Sequence, residues 1–189
     1  MELVFNQRRP NVIVVDDFYK NPEKVVKMAD DAEYVFDERY YKGRRSTMNY
    51  LLPYVKEEFE RLLGVTITDW MSQPMNGMFQ KTNEDDMLVY HADSQDYAAA
   101  VYLTKDAENM GTSFWMDKSF KERRPPNDAG LCDQIFTPYN LVHGDNWELV
   151  DKVGHVYNRL VIWDAKMIHS ASSYRKQRLV QLFFFSIRK

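Results

Sequence analysis

The chain has 189 residues, of which 44% are hydrophobic and 14% aromatic, with seven glycines and seven prolines. This length and composition favour one folded domain with a sizeable core and exclude a low-complexity or disordered chain. The formal net charge of −3 argues against nucleic acid as the main partner, because non-specific binding to phosphates needs excess Lys and Arg. The pairs Arg44-Arg45 and Arg123-Arg124 are interpreted as solvated surface, since no long basic stretch accompanies them.

Cysteine usage and hydropathy predict a cytoplasmic protein that does not enter a membrane. Cys132 is the only cysteine, so no internal disulfide can form. Residues 1–9 lack the apolar core of a secretion signal. The most apolar stretch, 179–187, contains Gln181 and is shorter than the roughly 18 residues that cross a bilayer. A nucleophilic role for Cys132 is not favoured, because His143 is the one histidine near it in sequence.

In chain order, the first predicted elements are a strand and two helices. Val12 to Val15 is an apolar run typical of a strand. The triplet Asn21-Pro22-Glu23 supplies an N-cap, a proline at the first helical position and an early carboxylate, so a helix is expected to begin there. Apolar residues at helical spacing predict a second helix over about 53–63, ending at Gly64.

From Val65 onward the sequence changes to short β-rich segments. Strands are predicted at Val65–Asp69, Gly77–Lys81, Met87–Ala92, Tyr97–Leu103, Ser113–Met116, Arg159–Trp163 and Arg178–Ile187. Most of them are not separated by a helix long enough to connect parallel strands. The predicted fold is therefore α+β but mainly β, an antiparallel jelly roll (double-stranded β-helix) braced by the N-terminal helices.

The segment from about 117 to 158 interrupts the strand pattern and is interpreted as a lid-like insertion within a single domain, 1–189. Loops of this length in compact domains commonly cover a binding site. Residues 146–153 are expected to form a short helix inside it. Its aromatic and charged residues suit a peptide or a polar small molecule as substrate.

The most informative motif is His91-Ala92-Asp93, at the end of one predicted strand, together with His169 just after another. Residues i and i+2 of an extended chain point to the same side, so His91 and Asp93 can present ligands to one ion. Two histidines and one carboxylate form the ligand set of non-haem Fe(II) oxygenases. Taken singly, each histidine also fits a hydrogen-bonded position at a strand end.

Arg178 opens the very apolar strand at 178–185. A guanidinium group in such surroundings is costly to bury without an anionic partner, and its planar fork suits a carboxylate. Two interpretations stay open at this point: a salt bridge to a neighbouring Asp or Glu, or the binding of a carboxylate ligand.

Taken together, these segments resemble the prolyl-4-hydroxylase-like branch of the Fe(II)/2-oxoglutarate dioxygenases. The resemblance covers roughly residues 75 to 187. The matching pieces, in the family's order, are His91-Ala92-Asp93, Tyr97 to Leu103, Gly111-Thr112-Ser113-Phe114, Arg159 to Trp163, His169 and Arg178. Asp16-Asp17-Phe18 and the helix after it resemble the entry segment of the family.

The resemblance implies a metal site, a cosubstrate site and an activity. His91, Asp93 and His169 would bind Fe(II), Arg178 would bind the distal carboxylate of 2-oxoglutarate, and Tyr102 would hydrogen-bond the cosubstrate. With O2 as the second cosubstrate, the reaction would hydroxylate a C–H bond in a peptide or protein residue or a polar small molecule. Tyr102 also fits an ordinary barrel aromatic. No catalytic role is assigned to His155 or Asp164.

Two features depart from the family pattern. Val180 stands where many relatives carry Ser or Thr two residues after the arginine, and the Gly-Gly-Thr motif is reduced to Met110-Gly111-Thr112. The alternative from another class is a non-enzymatic, cupin-like jelly roll that binds a metal or another ligand. A cupin-type metal enzyme that needs no 2-oxo acid is a further alternative, although such sites usually use more histidines.

Overall fold

The computed structural model describes residues 9–36, 43–107, 110–173 and 176–188. Its strands are β1 (Val12–Val15), β2 (Tyr34–Phe36), β3 (Arg44–Ser46), β4 (Phe79–Thr82), β5 (Tyr97–Tyr102), β6 (Gly111–Asp117), β7 (Trp147–Gly154), β8 (Leu160–Asp164), β9 (His169–Ala171) and β10 (Arg178–Phe185). Its helices are α1 (Pro22–Asp30), α2 (Val55–Leu63) and α3 (Ala129–Ile135). None of the helices described is long and apolar enough to span a membrane.

Two antiparallel sheets form the body of the protein. The larger has the strand order β1-β8-β5-β10-β4-β3-β2, and the smaller has the order β7-β6-β9. The strands are out of sequence order in the sheets, as expected when the chain crosses between two facing layers. The mainly β jelly roll predicted from the sequence is confirmed.

Strand β5 contributes side chains to the hydrophobic clusters on both faces of the larger sheet. Ala98, Ala100 and Tyr102 belong to the hydrophobic cluster that includes Phe114 of the smaller sheet. The alternate residues Ala99 and Val101 face the other side and join the core beneath the helices. Side chains alternate between the two faces of a strand, so a strand buried on both faces is apolar throughout.

The N-terminal helices brace the larger sheet, as predicted. Phe59 of α2 has no exposed surface, and its ring lies 5.1 Å from that of Phe183 on β10 and 5.5 Å from that of Trp70. Helix α2 ends at Gly64, which adopts the left-handed conformation (φ 66°) that glycine accepts without steric cost. The helices thus cover one face of the sheet and leave its other face for the smaller sheet.

Three sequence predictions of secondary structure are wrong. The ranges 65–69 and 87–92 contain only isolated bridges, Ile67 to Ile187 and His91 to His169. The stretch expected to be a helix, 146–153, instead contains most of β7. Strand β7 exposes most of its residues and pairs with β6 along its whole length, so a tertiary partner overrides a weak local preference.

Residues 1–8 lie outside the described residues, so the expectation that they carry no secretion signal stays a prediction. The prediction that 117–158 is a lid-like insertion also stays a prediction, although part of that range is the barrel strand β7.

Candidate metal centre

The backbone places His91 and His169 directly opposite each other. The amide of His91 donates to the carbonyl of His169 at 3.0 Å, and the amide of His169 donates to that of His91 at 2.8 Å. In this antiparallel bridge the two side chains point to the same side, and their ring centroids lie 4.4 Å apart. Because His169 also begins β9, the smaller sheet fixes the position of the pair.

Hydrogen bonds set which nitrogen each histidine presents to the site. Nδ1 of His91 lies 3.0 Å from the carbonyl oxygen of Val89, and Nδ1 of His169 lies 2.8 Å from that of Met167. A carbonyl oxygen only accepts, so each Nδ1 carries the proton and donates it. In the neutral ring, Nε2 then offers its lone pair, the arrangement found in metal-ligating histidines.

Asp93 completes the cluster with a carboxylate. Its Oδ1 lies 3.6 Å from Nε2 of His91, and its Oδ2 lies 3.4 Å from Nε2 of His169. The amide of Asp93 donates to the carbonyl of Ala165 at 2.8 Å, which fixes the turn that follows the His91 bridge. Oδ2 is buried and has no hydrogen-bond partner in the ranges that the structure describes, which is costly for a charged oxygen.

Three electron-pair donors thus face one point. One ligand atom from each of His91, Asp93 and His169 lies within 4.8 Å of the other two. Burial and the nearby His169 lower the pKa of His91 to about 4, so its ring is neutral at pH 7. Lone pairs and a carboxylate that face one another repel unless a cation lies between them. Two nitrogens and one oxygen are the donor set of Fe(II) oxygenases, so these residues fit that metal.

Arg178 lies in the wall of the same cavity. This cavity has a volume of about 620 Å³, and its lining includes Arg178 together with His91, Asp93 and His169. Arg178 is 5% exposed, and its Nε is buried and has no hydrogen-bond partner among the described residues. Among the described residues, no Asp or Glu forms a salt bridge with it. The salt-bridge interpretation of Arg178 therefore finds no support in the described part of the chain.

Tyr102 lies behind this wall rather than in it. It is fully buried, and its hydroxyl lies 2.8 Å from Oγ1 of Thr112, which does line the cavity. The guanidinium carbon of Arg178 lies 5.5 Å from the centroid of the Tyr102 ring. The structure therefore places Thr112, and not Tyr102, at the cavity surface, and Tyr102 supports both Thr112 and Arg178.

Sequence reasoning missed a second arginine at the site. Arg45 was interpreted as solvated surface together with Arg44, but only Arg44 is exposed. Arg45 is 9% exposed and lines the cavity, where its Nε donates to Oε1 of Gln80 at 2.9 Å. The alternation of strand β3 sends the two side chains to opposite faces. Nothing in the sequence indicates which of the two faces inward.

The segment before β7 is hydrogen-bonded to the residues that precede His91 and His169. The amide of Tyr90 donates to the carbonyl of Leu141 at 2.8 Å, and the amide of Ile168 donates to the carbonyl of Arg123 at 2.9 Å. Each donor residue immediately precedes one of the two histidines. Leu141 and its neighbour Val142 line the cavity, so this segment forms a cavity wall that is held next to both histidines.

Comparison with known proteins gives a family and a fold. The family described as "Family of unknown function (DUF6445)" matches residues 2–181. No curated protein matches the sequence. The solved structures that match include HygX from Streptomyces hygroscopicus with nickel, 2-oxoglutarate and hygromycin B bound, at 13% identity and a TM-score of 0.55, covering 93% of this chain and 82% of HygX.

A prolyl-4-hydroxylase from Pseudomonas putida matches at 12% identity and a TM-score of 0.50, covering 95% of this chain and 94% of that protein. A second HygX structure, with nickel and 2-oxoglutarate bound, matches at 14% identity and a TM-score of 0.50. At these identities the likeness is one of fold.

Proposed function

The chain belongs to the DUF6445 family of unknown function, and we propose that it is a non-haem Fe(II)- and 2-oxoglutarate-dependent oxygenase. Its substrate would be a peptide or protein residue or a polar small molecule, hydroxylated at a C–H bond. One observation carries the proposal: a buried arginine without an acidic partner among the described residues shares a cavity with the ligand cluster His91, Asp93 and His169. A site that needs both a cation and an anion fits a metal together with a dicarboxylate.

The residues divide into two binding functions. His91, Asp93 and His169 would hold Fe(II) from one side, which leaves its other positions open. Arg178 would receive the distal carboxylate of 2-oxoglutarate, because a planar guanidinium can bind both carboxylate oxygens. Thr112 lines the cavity and is hydrogen-bonded to Tyr102, and it would contribute to the same cosubstrate site.

When bound, iron, 2-oxoglutarate and O2 supply the oxidation, which converts the cosubstrate to succinate and carbon dioxide and places one oxygen atom in the substrate C–H bond. The chain's own residues supply binding and orientation. Leu141 and Val142 would exclude water from the apolar side of the cavity, and the bonds from Tyr90 and Ile168 would hold that wall in place.

The fold of HygX supports the proposal by analogy, because the HygX structures hold nickel and 2-oxoglutarate on a similar jelly roll. A further HygX ligand, hygromycin B, is consistent with a small polar substrate here. Fold likeness alone does not identify a substrate. A cytoplasmic location is proposed from the single cysteine, Cys132, and is not otherwise tested.

The test is anaerobic reconstitution of the full chain with Fe(II) and 2-oxoglutarate, followed by admission of oxygen and measurement of succinate. We expect slow succinate release without substrate and faster release with a suitable member of a peptide and small-molecule panel. The variant Arg178→Ala should lose this release, whereas Arg44→Ala, an exposed arginine of β3, should retain it.

Two outcomes would contradict the proposal. A folded protein that binds a divalent metal but shows no saturable affinity for 2-oxoglutarate would indicate a non-enzymatic jelly-roll module. Turnover of a substrate without consumption of 2-oxoglutarate would indicate a metal enzyme of another class.

A further inference from the structure

His155 packs against the back of the proposed cosubstrate site. Its ring is stacked on that of Tyr102, with centroids 4.6 Å apart and an interplanar angle of 12°. Tyr102 in turn bonds Thr112 at 2.8 Å and lies 5.5 Å from the guanidinium carbon of Arg178. His155 therefore contacts the side chain that touches both Thr112 and Arg178, two polar residues of the cavity wall.

Two hydrogen bonds through Thr104 connect His155 to Leu179, the residue after Arg178. Nε2 of His155 lies 2.9 Å from the carbonyl oxygen of Thr104. Oγ1 of Thr104 accepts from the amide of Leu179 at 2.7 Å, and Leu179 directly follows Arg178. The ring is thus attached to the start of β10 as well as to Tyr102.

Gly111 allows the chain to bring His155 to this position. The end of β7 approaches β6 so closely that a Cβ at Gly111 would lie 2.2 Å from the carbonyl oxygen of Val153 and 3.1 Å from the amide of His155. Gly111 also has φ 149°, a conformation that other residues rarely adopt. Gly111, which belongs to the reduced family motif Met110-Gly111-Thr112, therefore has a local function: it leaves room for the backbone that carries His155.

The charge state of His155 suits its neighbours. The carbonyl of Thr104 only accepts, so Nε2 carries the proton. Nδ1 is buried and has no hydrogen-bond partner among the residues described. Burial lowers the pKa of His155 to about 4, and the positive charges of Arg178, Lys176 and Arg159 contribute in the same direction. At neutral pH the ring adds no further positive charge next to Arg178.

We infer that His155 is a positioning residue for 2-oxoglutarate binding: its ring fixes the plane of Tyr102, and through Tyr102 the directions of the Thr112 hydroxyl and the Arg178 guanidinium. This inference rests on the proposed function, since it assigns a support to the same cosubstrate site. Aromatic stacking acts on ring orientation, so a planar ring at position 155 is what the site requires.

The test uses the full chain loaded with Ni(II), which permits binding to be measured without turnover. Calorimetric titration with 2-oxoglutarate compares wild type with three variants. His155→Phe keeps a ring but not the donor, His155→Gln keeps a donor but not the ring, and His155→Ala keeps neither. We expect His155→Phe to bind within about twofold of wild type, and the other two to bind about threefold to tenfold more weakly. Ni(II) affinity should be unchanged in all three.

A double-mutant cycle separates action through Tyr102 from a general loss of structure. If His155 acts through the tyrosine ring, His155→Ala should weaken 2-oxoglutarate binding much less in a Tyr102→Leu background than in wild type. His143→Ala is the matched control, because His143 is exposed and stacks on Tyr139, and it should leave affinity unchanged. Thermal melting of each variant checks that it is folded.

Three results would overturn the inference: equal affinity in all His155 variants, retention by His155→Gln with loss in His155→Phe, or additive effects in the cycle. If wild type itself does not bind 2-oxoglutarate, the proposed function fails, which is a different result from failure of the His155 inference alone.

Discussion

His91 and His169 exchange both of their backbone hydrogen bonds, at 3.0 and 2.8 Å, across a single antiparallel bridge. The two imidazole side chains are thus aligned by the main chain and not by their own packing. Removal of the ligand side chains should therefore leave the bridge, and the fold around it, in place.

The first prediction concerns metal retention. The double variant His91→Ala, Asp93→Ala should retain no divalent metal, because two of the three donors are lost, while its β-structure persists. Equilibrium dialysis with metal analysis and circular dichroism measure the two properties. His143→Ala, which changes an exposed histidine, is the control and should bind metal like wild type. Metal bound at full stoichiometry by the double variant would rule out this site.

The second prediction is that one substitution of Arg178 raises stability but weakens 2-oxoglutarate binding. Arg178 is 5% exposed and its Nε has no hydrogen-bond partner within the described part of the chain, so desolvation of the charge is only partly offset by the Tyr102 ring. Without cosubstrate, Arg178→Met should raise the free energy of unfolding by about 1 kcal/mol or more. The same variant should bind 2-oxoglutarate at least about tenfold more weakly, since a charged hydrogen-bond pair is lost.

Denaturant unfolding measures the free energy of unfolding, and calorimetric titration of the same samples measures the affinity for 2-oxoglutarate. Arg44→Met serves as the control, because Arg44 is exposed on the strand that also carries Arg45. A destabilised Arg178→Met protein with unchanged 2-oxoglutarate affinity would show that Arg178 is a structural arginine.

The third prediction is a pH dependence of stability at His155. The pKa of His155 is about 4 in the folded chain and about 6.5 in the unfolded chain, so between these values the unfolded state binds the extra proton. Stability is therefore lost as the pH falls from about 6.5 towards 4. His155→Phe should remove this part of the loss, which we place at about 1 kcal/mol between pH 7 and pH 5, since the ring is partly exposed.

Urea unfolding of wild type and His155→Phe at pH 7 and pH 5 measures how much unfolding free energy each protein loses between the two pH values. His91, whose pKa is also about 4, contributes equally to both proteins and cancels in the comparison. Parallel pH profiles for the two proteins would contradict a buried, neutral His155.

A fourth prediction addresses the wall beside the metal centre. Trp147 is 3% exposed, donates Nε1–H to the carbonyl of Asn140 at 2.7 Å, and stacks on Tyr90 at a ring distance of 5.8 Å. Trp147→Ala should cost about 3 to 5 kcal/mol of stability and accelerate exchange of the Tyr90 amide, which bonds Leu141.

Hydrogen exchange followed by mass spectrometry or NMR measures the amide. Tyr139→Ala is the control, because Tyr139 is an exposed aromatic residue of the same segment. Fast exchange of the Tyr90 amide already in wild type would show that the segment opens as a mobile lid.

The sequence alone was sufficient to predict the fold class and to place His91 and Asp93 together in the candidate metal centre. The short β-rich segments after Val65, the helix signals at Asn21 and Gly64, and the spacing of His91 and Asp93 are local properties, fixed by backbone geometry over a few residues. They predicted the jelly roll, the bracing helices and side chains of His91 and Asp93 on one side of the chain. The family resemblance added His169 and Arg178, and the structure brings all four residues to one cavity.

Tertiary structure decided what depends on contacts between distant segments. Whether Arg44 or Arg45 faces the cavity is set by the register of β3 against β4, and a shift of one residue would exchange them. Strand β7 exists because β6 pairs with it, and Tyr90 bonds Leu141 and not a neighbouring strand. His155 stacks on Tyr102 because the close approach at Gly111 admits it. Each of these contacts is stabilised by pairing between residues that are distant in sequence, so no local sequence pattern encodes it.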